Sequence, residues 1–246
     1  MTVEIAIILA GALAGGCVSG LTGFGTGMAA LAIWLHVLPV AVAAPLVVVC
    51  SVAGQVLSLP SIWHAIDIKR LLPFVFGGVI GIPLGTWMLT WVPLASLKFW
   101  AGLLIATYCA VMLSGQFRPR VAWGGKTADV LVGWVGGVLG GLAGLSGVLP
   151  TLWASVRGWG KDERRAVFQG FNLSVLGATL IAYAVTGLLT PEVGRAVLWA
   201  LPGTLAGSVL GLQVYRRLDD HRFDRVVLAI LAVAGVVLMG TGWSAR

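Results

Sequence analysis

The chain has 246 residues, 59% of them hydrophobic and 10% charged, with a formal net charge of +7. Soluble domains carry roughly a quarter charged residues, and apolar runs of eighteen or more recur here from end to end. A soluble enzyme is thereby excluded in favour of a polytopic membrane protein, and the surplus Lys and Arg read as loops facing anionic lipid rather than a surface for nucleic acid.

The first apolar segment is expected from about Val3 to His36. As one straight helix it would be roughly 50 Å long, against a hydrocarbon core of about 30 Å. The cluster Gly15, Gly16, Gly20, Gly23, Gly25 and Gly27 offers a break between Ser19 and Gly27, giving two half-helices that enter and leave on one side. The opening Met-Thr-Val-Glu lacks a basic stretch, so this segment is expected to persist in the mature protein. Pro39 and Pro45 start a second helix that Pro60 ends, before an interfacial loop with Trp63, His64, Asp67, Lys69 and Arg70. A third helix, about Leu71–Trp91, carries Gly77, Gly81 and Gly85 at the four-residue spacing of a close-packing face. A fourth spans about Leu97–Ser114.

After a loop with Arg118, Arg120 and Lys126 the order repeats. The pattern Gly15-Gly16-x-x-x-Gly20-Leu21-x-Gly23 returns 121 positions later as Gly136-Gly137-x-x-x-Gly141-Leu142-x-Gly144. It lies in a segment from about Thr127 to Val156 that is expected to break near Gly144–Pro150. A basic loop with Arg157, Lys161, Arg164 and Arg165 follows, then helices at about Ala166–Leu188, Val193–Tyr215 and Phe223–Trp243. Gly203, Gly207 and Gly211 echo the spacing of Gly77, Gly81 and Gly85. Four matching elements in order point to a duplication, with repeats at 1–118 and 127–246 joined by a loop at 119–126. Each repeat is a broken-helix hairpin followed by three transmembrane helices. If both broken segments are hairpins, loops 60–70, 115–127, 157–165 and 215–225 share one side and hold thirteen of the sixteen Lys and Arg. The positive-inside rule makes that side cytoplasmic, which leaves the repeats inverted.

Inverted repeats with paired broken helices are the architecture of secondary transporters that bind substrate near the midplane. A broken helix exposes backbone N–H groups at the start of its second half, where the helix dipole adds partial positive charge, and glycine leaves them uncovered. Ser19, Thr22, Gly23, Gly25 and Thr26 at the first break, with Ser146 and Gly147 at the second, are the candidate substrate contacts. Gln169 and Asn172 share one face of the following helix, and Ser51 and Gln55 occupy the comparable helix of the first repeat. The competing reading is that these small residues only let helices approach closely, and that the amides bond to neighbouring helices. Cys17, Cys50 and Cys109 read as small core residues, and Trp34, Trp63, Trp91, Trp123 and Trp159 as aromatic belts. No spacing suggests a metal site, a catalytic dyad or a cofactor. All nine acids fall near segment ends, so no carboxylate serves as a proton carrier at the midplane.

The runs Ser19-Gly20-Leu21-Thr22-Gly23-Phe24-Gly25-Thr26-Gly27 and Gly140-Gly141-Leu142-Ala143-Gly144-Leu145-Ser146-Gly147 resemble the sulfite exporter TauE/SafE family of membrane permeases. So does Ile66-Asp67-x-Lys69-Arg70-Leu71-Leu72-Pro73, leading into the Gly77–Gly85 helix. The resemblance covers essentially the whole chain. It implies a multi-pass protein of the cell (inner) membrane that transports small anions such as sulfite, thiosulfate, sulfoacetate or other organosulfonates. The expected function is a secondary transporter, an exporter, working by alternating access around two glycine-rich hairpins. Its expected partners are a small anion and the lipid bilayer, with no nucleic acid, and a homo-oligomer is left open. The alternative is a membrane-embedded assembly or lipid-interacting subunit without its own transport cycle.

Overall fold

The computed structural model describes residues 2–34, 36–88, 99–100, 102–103, 106–107, 109–110, 123–143 and 146–244. Among them nine α-helices follow in order: α1 (Thr2–Thr22), α2 (Thr26–Trp34), α3 (Val40–Ser58), α4 (Ile68–Met88), α5 (Gly125–Ala143), α6 (Val148–Val156), α7 (Lys161–Val185), α8 (Pro191–Arg217) and α9 (Asp220–Ser244). Of these α1, α3, α4, α7, α8 and α9 are long and apolar enough to cross a membrane. The helix expected at 97–114 is described only at scattered residues, all helical, and much of it and of the 119–126 loop lies outside the described residues.

Several boundaries differ from the sequence expectation. Two short 3-10 turns, Leu59–Ser61 and Trp63–Ala65, fill the loop after α3, and α4 begins at Ile68, so Lys69 and Arg70 are helical. Asp67 caps that start by accepting from Lys69 N at 2.9 Å. Lys161, Arg164 and Arg165 belong to α7 rather than to a loop. Gly160 turns the chain in extended conformation, and Asp162 and Glu163 then complement the positive end of the helix. Pro191 opens α8 instead of the loop before it, because Thr190 accepts from Val193 N and a proline in the first turn needs no donor. Trp34 is not in an interfacial belt. It is fully buried and donates from Nε1 to Ile8 O at 2.9 Å, in the space that Gly11 leaves open.

The broadest helix contacts join α1 to α8 and α4 to α5, so each glycine-bearing helix lies against a partner far away in sequence. A Cβ at Gly81 would lie 2.3 Å from Trp134 O and 2.8 Å from Val138 N. A Cβ at Gly207 would lie 2.3 Å from Leu13 O and 2.8 Å from Cys17 N. The two sets of neighbours are displaced by the same 121 positions as the glycine pattern. Gly85 against Val138 O and Gly211 against Cys17 O, both at 2.2 Å, repeat the relation. No side chain fits at these crossings, and backbone-to-backbone contact replaces it.

α8 runs from a cluster around Trp34, Leu38, Val42 and Leu46, which it joins through Val193, Ala196 and Ala200, to another around Phe24, Ile62, Phe168 and Phe223, which it joins through Tyr215. At this second end the basic segments meet. Arg70 pairs with Glu163 at 3.0 Å, Arg157 Nη1 donates to Trp123 O at 3.2 Å, Arg164 lies over the Phe223 ring, and the Tyr215 phenol donates to Asp162.

Candidate functional site

The chain leaves α1 at Thr22 and starts α2 at Thr26, with only Gly23-Phe24-Gly25 between. Gly23 and Gly25 have φ of +83° and +86°, where an L side chain costs about 1–2 kcal/mol. The Thr22 hydroxyl lies 2.9 Å from both Val18 O and Phe24 O and accepts from Phe24 N at 3.3 Å, so it ties the break to itself. Phe24 is buried edge-on to Phe168, with ring centroids 5.7 Å apart. A Cβ at Gly23 would lie 3.2 Å from Arg165 Cγ and 3.3 Å from Gln169 Cβ. The first break therefore rests on the early turns of α7.

The second break is built differently. Gly147 has ordinary right-handed helical dihedrals, φ −77° and ψ −14°. Ser146 donates to Asn172 Oδ1 at 2.5 Å, and Thr151 back-bonds to Gly147 O at 2.6 Å. What Gly147 supplies is room, since its Cβ would lie 3.0 Å from both Asn172 Nδ2 and Phe24 Cβ. Phe24 and Gly147 thus bring the two breaks together.

Where they meet, a small, partly open cavity forms. Gly25, Thr26, Gly27 and Met28 line it from the start of α2, Gly147 from the start of α6, Ser51 and Gln55 from α3, and Asn172 and Leu176 from α7. Two helix N-termini consequently face one space, each bringing partial positive charge and uncommitted N–H groups. The Thr26 hydroxyl and both polar atoms of the Gln55 amide are buried without a hydrogen-bond partner among the described residues. Leaving such groups unmatched costs about 1–3 kcal/mol each, so the site is suited to a ligand with oxygens to accept.

Of the residues singled out in the sequence, Gly25, Thr26, Ser51, Gln55, Gly147 and Asn172 line this cavity. Thr22, Gly23 and Ser146 lie in the breaks behind it. Gln169 is turned to α3, where its Nε2 donates to Gln55 O at 2.7 Å and to Ser58 Oγ at 3.0 Å, and so holds Gln55 in place. Ser19 is buried on α1, its hydroxyl has no partner among the described residues, and it is not in the cavity lining. Sequence reasoning missed the apolar wall of Phe24, Met28 and Leu176. It also reads Arg165, with Arg157, Lys161 and Arg164, as a topology-setting charge or part of a cytoplasmic antechamber that attracts anions, whereas the side chain is buried beneath the first break. The signal was present, since Arg165, Gln169 and Asn172 are spaced to share one face of a helix.

Residues 7–238 match the family described as Sulfite exporter TauE/SafE. No curated protein and no solved structure matches the chain. Proteins of this family are transporters rather than enzymes. The match spans both breaks, both glycine helices and the cavity between them, and the chain belongs to the sulfite exporter TauE/SafE family as a multi-pass membrane protein that transports small anions.

Proposed function

We propose that this protein exports small sulfur-containing anions, such as sulfite or an organosulfonate, by alternating access around the cavity at the two breaks. The observation that carries the reading is the convergence of two helix N-termini with the unpartnered Thr26 hydroxyl and Gln55 amide. An anion placed there gains charge-assisted hydrogen bonds without a buried cation having to be desolvated beside it. The apolar wall of Phe24, Met28 and Leu176 lowers the local dielectric, which strengthens those bonds.

Alternating access requires two bodies that rock about the site, and inverted repeats supply them. The recurrence of the Gly81 environment at Gly207 supports a duplication of 1–118 in 127–246, each copy opening on a hairpin. The one-sided grouping of the basic segments supports the cytoplasmic placement of that end. Among the described residues lining the cavity there is no acid or histidine, and the cycle proposed uses no proton carrier there. Outward movement of a monoanion is favoured by an inside-negative potential, by about 2.3 kcal/mol per 100 mV, enough for a gradient of roughly fiftyfold.

The test uses proteoliposomes loaded with radiolabelled sulfite, with potential set by potassium and valinomycin at equal pH. Efflux accelerates when the inside is negative, and Gln55→Leu slows it about tenfold or more while melting with the wild type. Efflux that ignored voltage and followed a pH gradient would remove the coupling, and a Gln55→Leu protein with full activity would remove the site.

A further inference from the structure

One charged side chain at the basic end plays no part in the cycle just described. Arg165 is wholly buried, at 0% exposure. Its Nη2 donates to Gly20 O at 2.6 Å, and the guanidinium carbon lies 3.8 Å from the centre of the Tyr215 ring. Among the described residues Nε and Nη1 have no acceptor in good hydrogen-bond geometry, although the Tyr215 phenol lies close enough to interact with the guanidinium. Asp162, less than one turn earlier on α7, accepts from the Tyr215 phenol.

A guanidinium carries five donors in a planar fork, and burying it with donors unfilled is expensive. Capping the last carbonyls of α1 calls for one donor, not five, and an exposed lysine would supply it at lower cost. The arrangement fits a group that holds a carbonyl when empty and a two-pronged oxyanion when occupied. Each prong pair of the fork includes Nη2, the nitrogen that Gly20 O now holds, so an oxyanion bound by either one crowds that carbonyl. Along α7, Asn172 at the cavity is seven residues beyond Arg165, or about 10 Å. Gly23, the first residue of the break, rests directly on the Arg165 stem.

We infer that Arg165 is a second anion site, lying between the basic end and the cavity, and that it latches the first break through Gly20. Its ligand is a small oxyanion of the class the cavity takes, and to that extent the inference rests on the reading above. Arrival of the anion at Arg165 competes with the Gly20 carbonyl and frees the last turn of α1, beside the break that has to move. Passage from the basic end is thereby coupled to unlatching. Aligning Ser174 of α7 with Ser51 of α3 puts Val42 at the corresponding place, so the device exists on one side only.

Equilibrium binding of radiolabelled sulfite to the full chain in lipid nanodiscs tests this. The wild type shows two classes of site. Arg165→Gln loses one class and keeps the other within about twofold, and Arg165→Lys, with charge but no fork, folds and weakens the same class by about tenfold. Gln55→Leu loses the other class and keeps the one at Arg165. Two intact classes in Arg165→Gln, with or without a lowered Tm, would make Arg165 a helix cap and overturn the inference. Loss of a class in Arg165→Gln beside wild-type binding in Gln55→Leu would sink the cavity reading and leave Arg165 standing. A wild type that binds no sulfite sinks both.

Discussion

The two glycine seams and the two breaks repeat the same sequence motifs with different fidelity. Along the seams, α4 on α5 and α8 on α1, the neighbours of each glycine recur at a constant displacement and at nearly the same distances. At the breaks they do not. Gly23 and Gly25 are needed for backbone conformation, whereas Gly147 is right-handed and needed for space. The first break is held from another part of the chain by Arg165 at Gly20, and the second by Asn172 at Ser146. A seam has one solution, because two backbones in contact tolerate no side chain. A break can be stabilised in several ways, so its two copies are free to diverge and to take different tasks.

Substitutions at the seams should give the largest effects. Gly81→Val and Gly207→Val each push a branched side chain into a backbone 2.3 Å away, and both should destabilise by about 3 kcal/mol or more. Thermal melts in detergent check this. A severe loss in one and a mild loss in the other would break the equivalence of the seams.

The breaks should separate more finely. Gly25→Ala forces a side chain into left-handed backbone with Val18 3.0 Å away, for about 2–3 kcal/mol. Gly147→Ala keeps its dihedrals and meets a movable Asn172 side chain, so about 1 kcal/mol is expected, together with loss of anion binding in the cavity. Similar melting temperatures for the two variants would show that both breaks use glycine for one purpose.

The smallest effects distinguish two threonines four residues apart. Thr22→Val removes a hydroxyl already bonded to the break's own backbone, so stability should fall by about 0.5–1.5 kcal/mol with sulfite affinity kept. Thr26→Val removes an unpartnered hydroxyl in the cavity, so affinity should fall by about fivefold to tenfold with Tm nearly unchanged. Titration calorimetry and melts on both proteins read the two quantities, and exchanged phenotypes would misassign the cavity.

Much of this was legible in the sequence because glycine reports on backbone. Regular glycines in an apolar run mark close crossings, and irregular ones mark a break, so the helices and both breaks can be placed within a few residues. Partners cannot be placed in that way. Nothing local to Gly16 says that its neighbour is Thr204, since the complementary surface is also a plain row of small residues. Thr22 and Thr26 look equivalent as donors until the backbone around Phe24 fixes which hydroxyl is already spent. Arg165 was counted with the loop charges because it ends a basic run. Its burial follows from the first break lying over α7, a contact 145 residues apart.

The pairing of α1 with α8 also fixes an order of assembly during synthesis. The α4–α5 seam joins Gly81 to Gly137, and both are made within a short interval. Gly16 must wait for Gly207, 191 positions later, which at about 5–20 residues per second is a delay of about 10–40 s. Through that time α1 sits in lipid with its glycine face uncovered and no protein backbone against it. The first helix to leave the ribosome is therefore among the last to find its seat, and the helix that supplies that seat, α8, packs on both α1 and α3. A chain truncated before residue 191 would hold both breaks, and the α7 surface under the first one, but would leave the Gly16–Gly20 face of α1 without the helix it is shaped for.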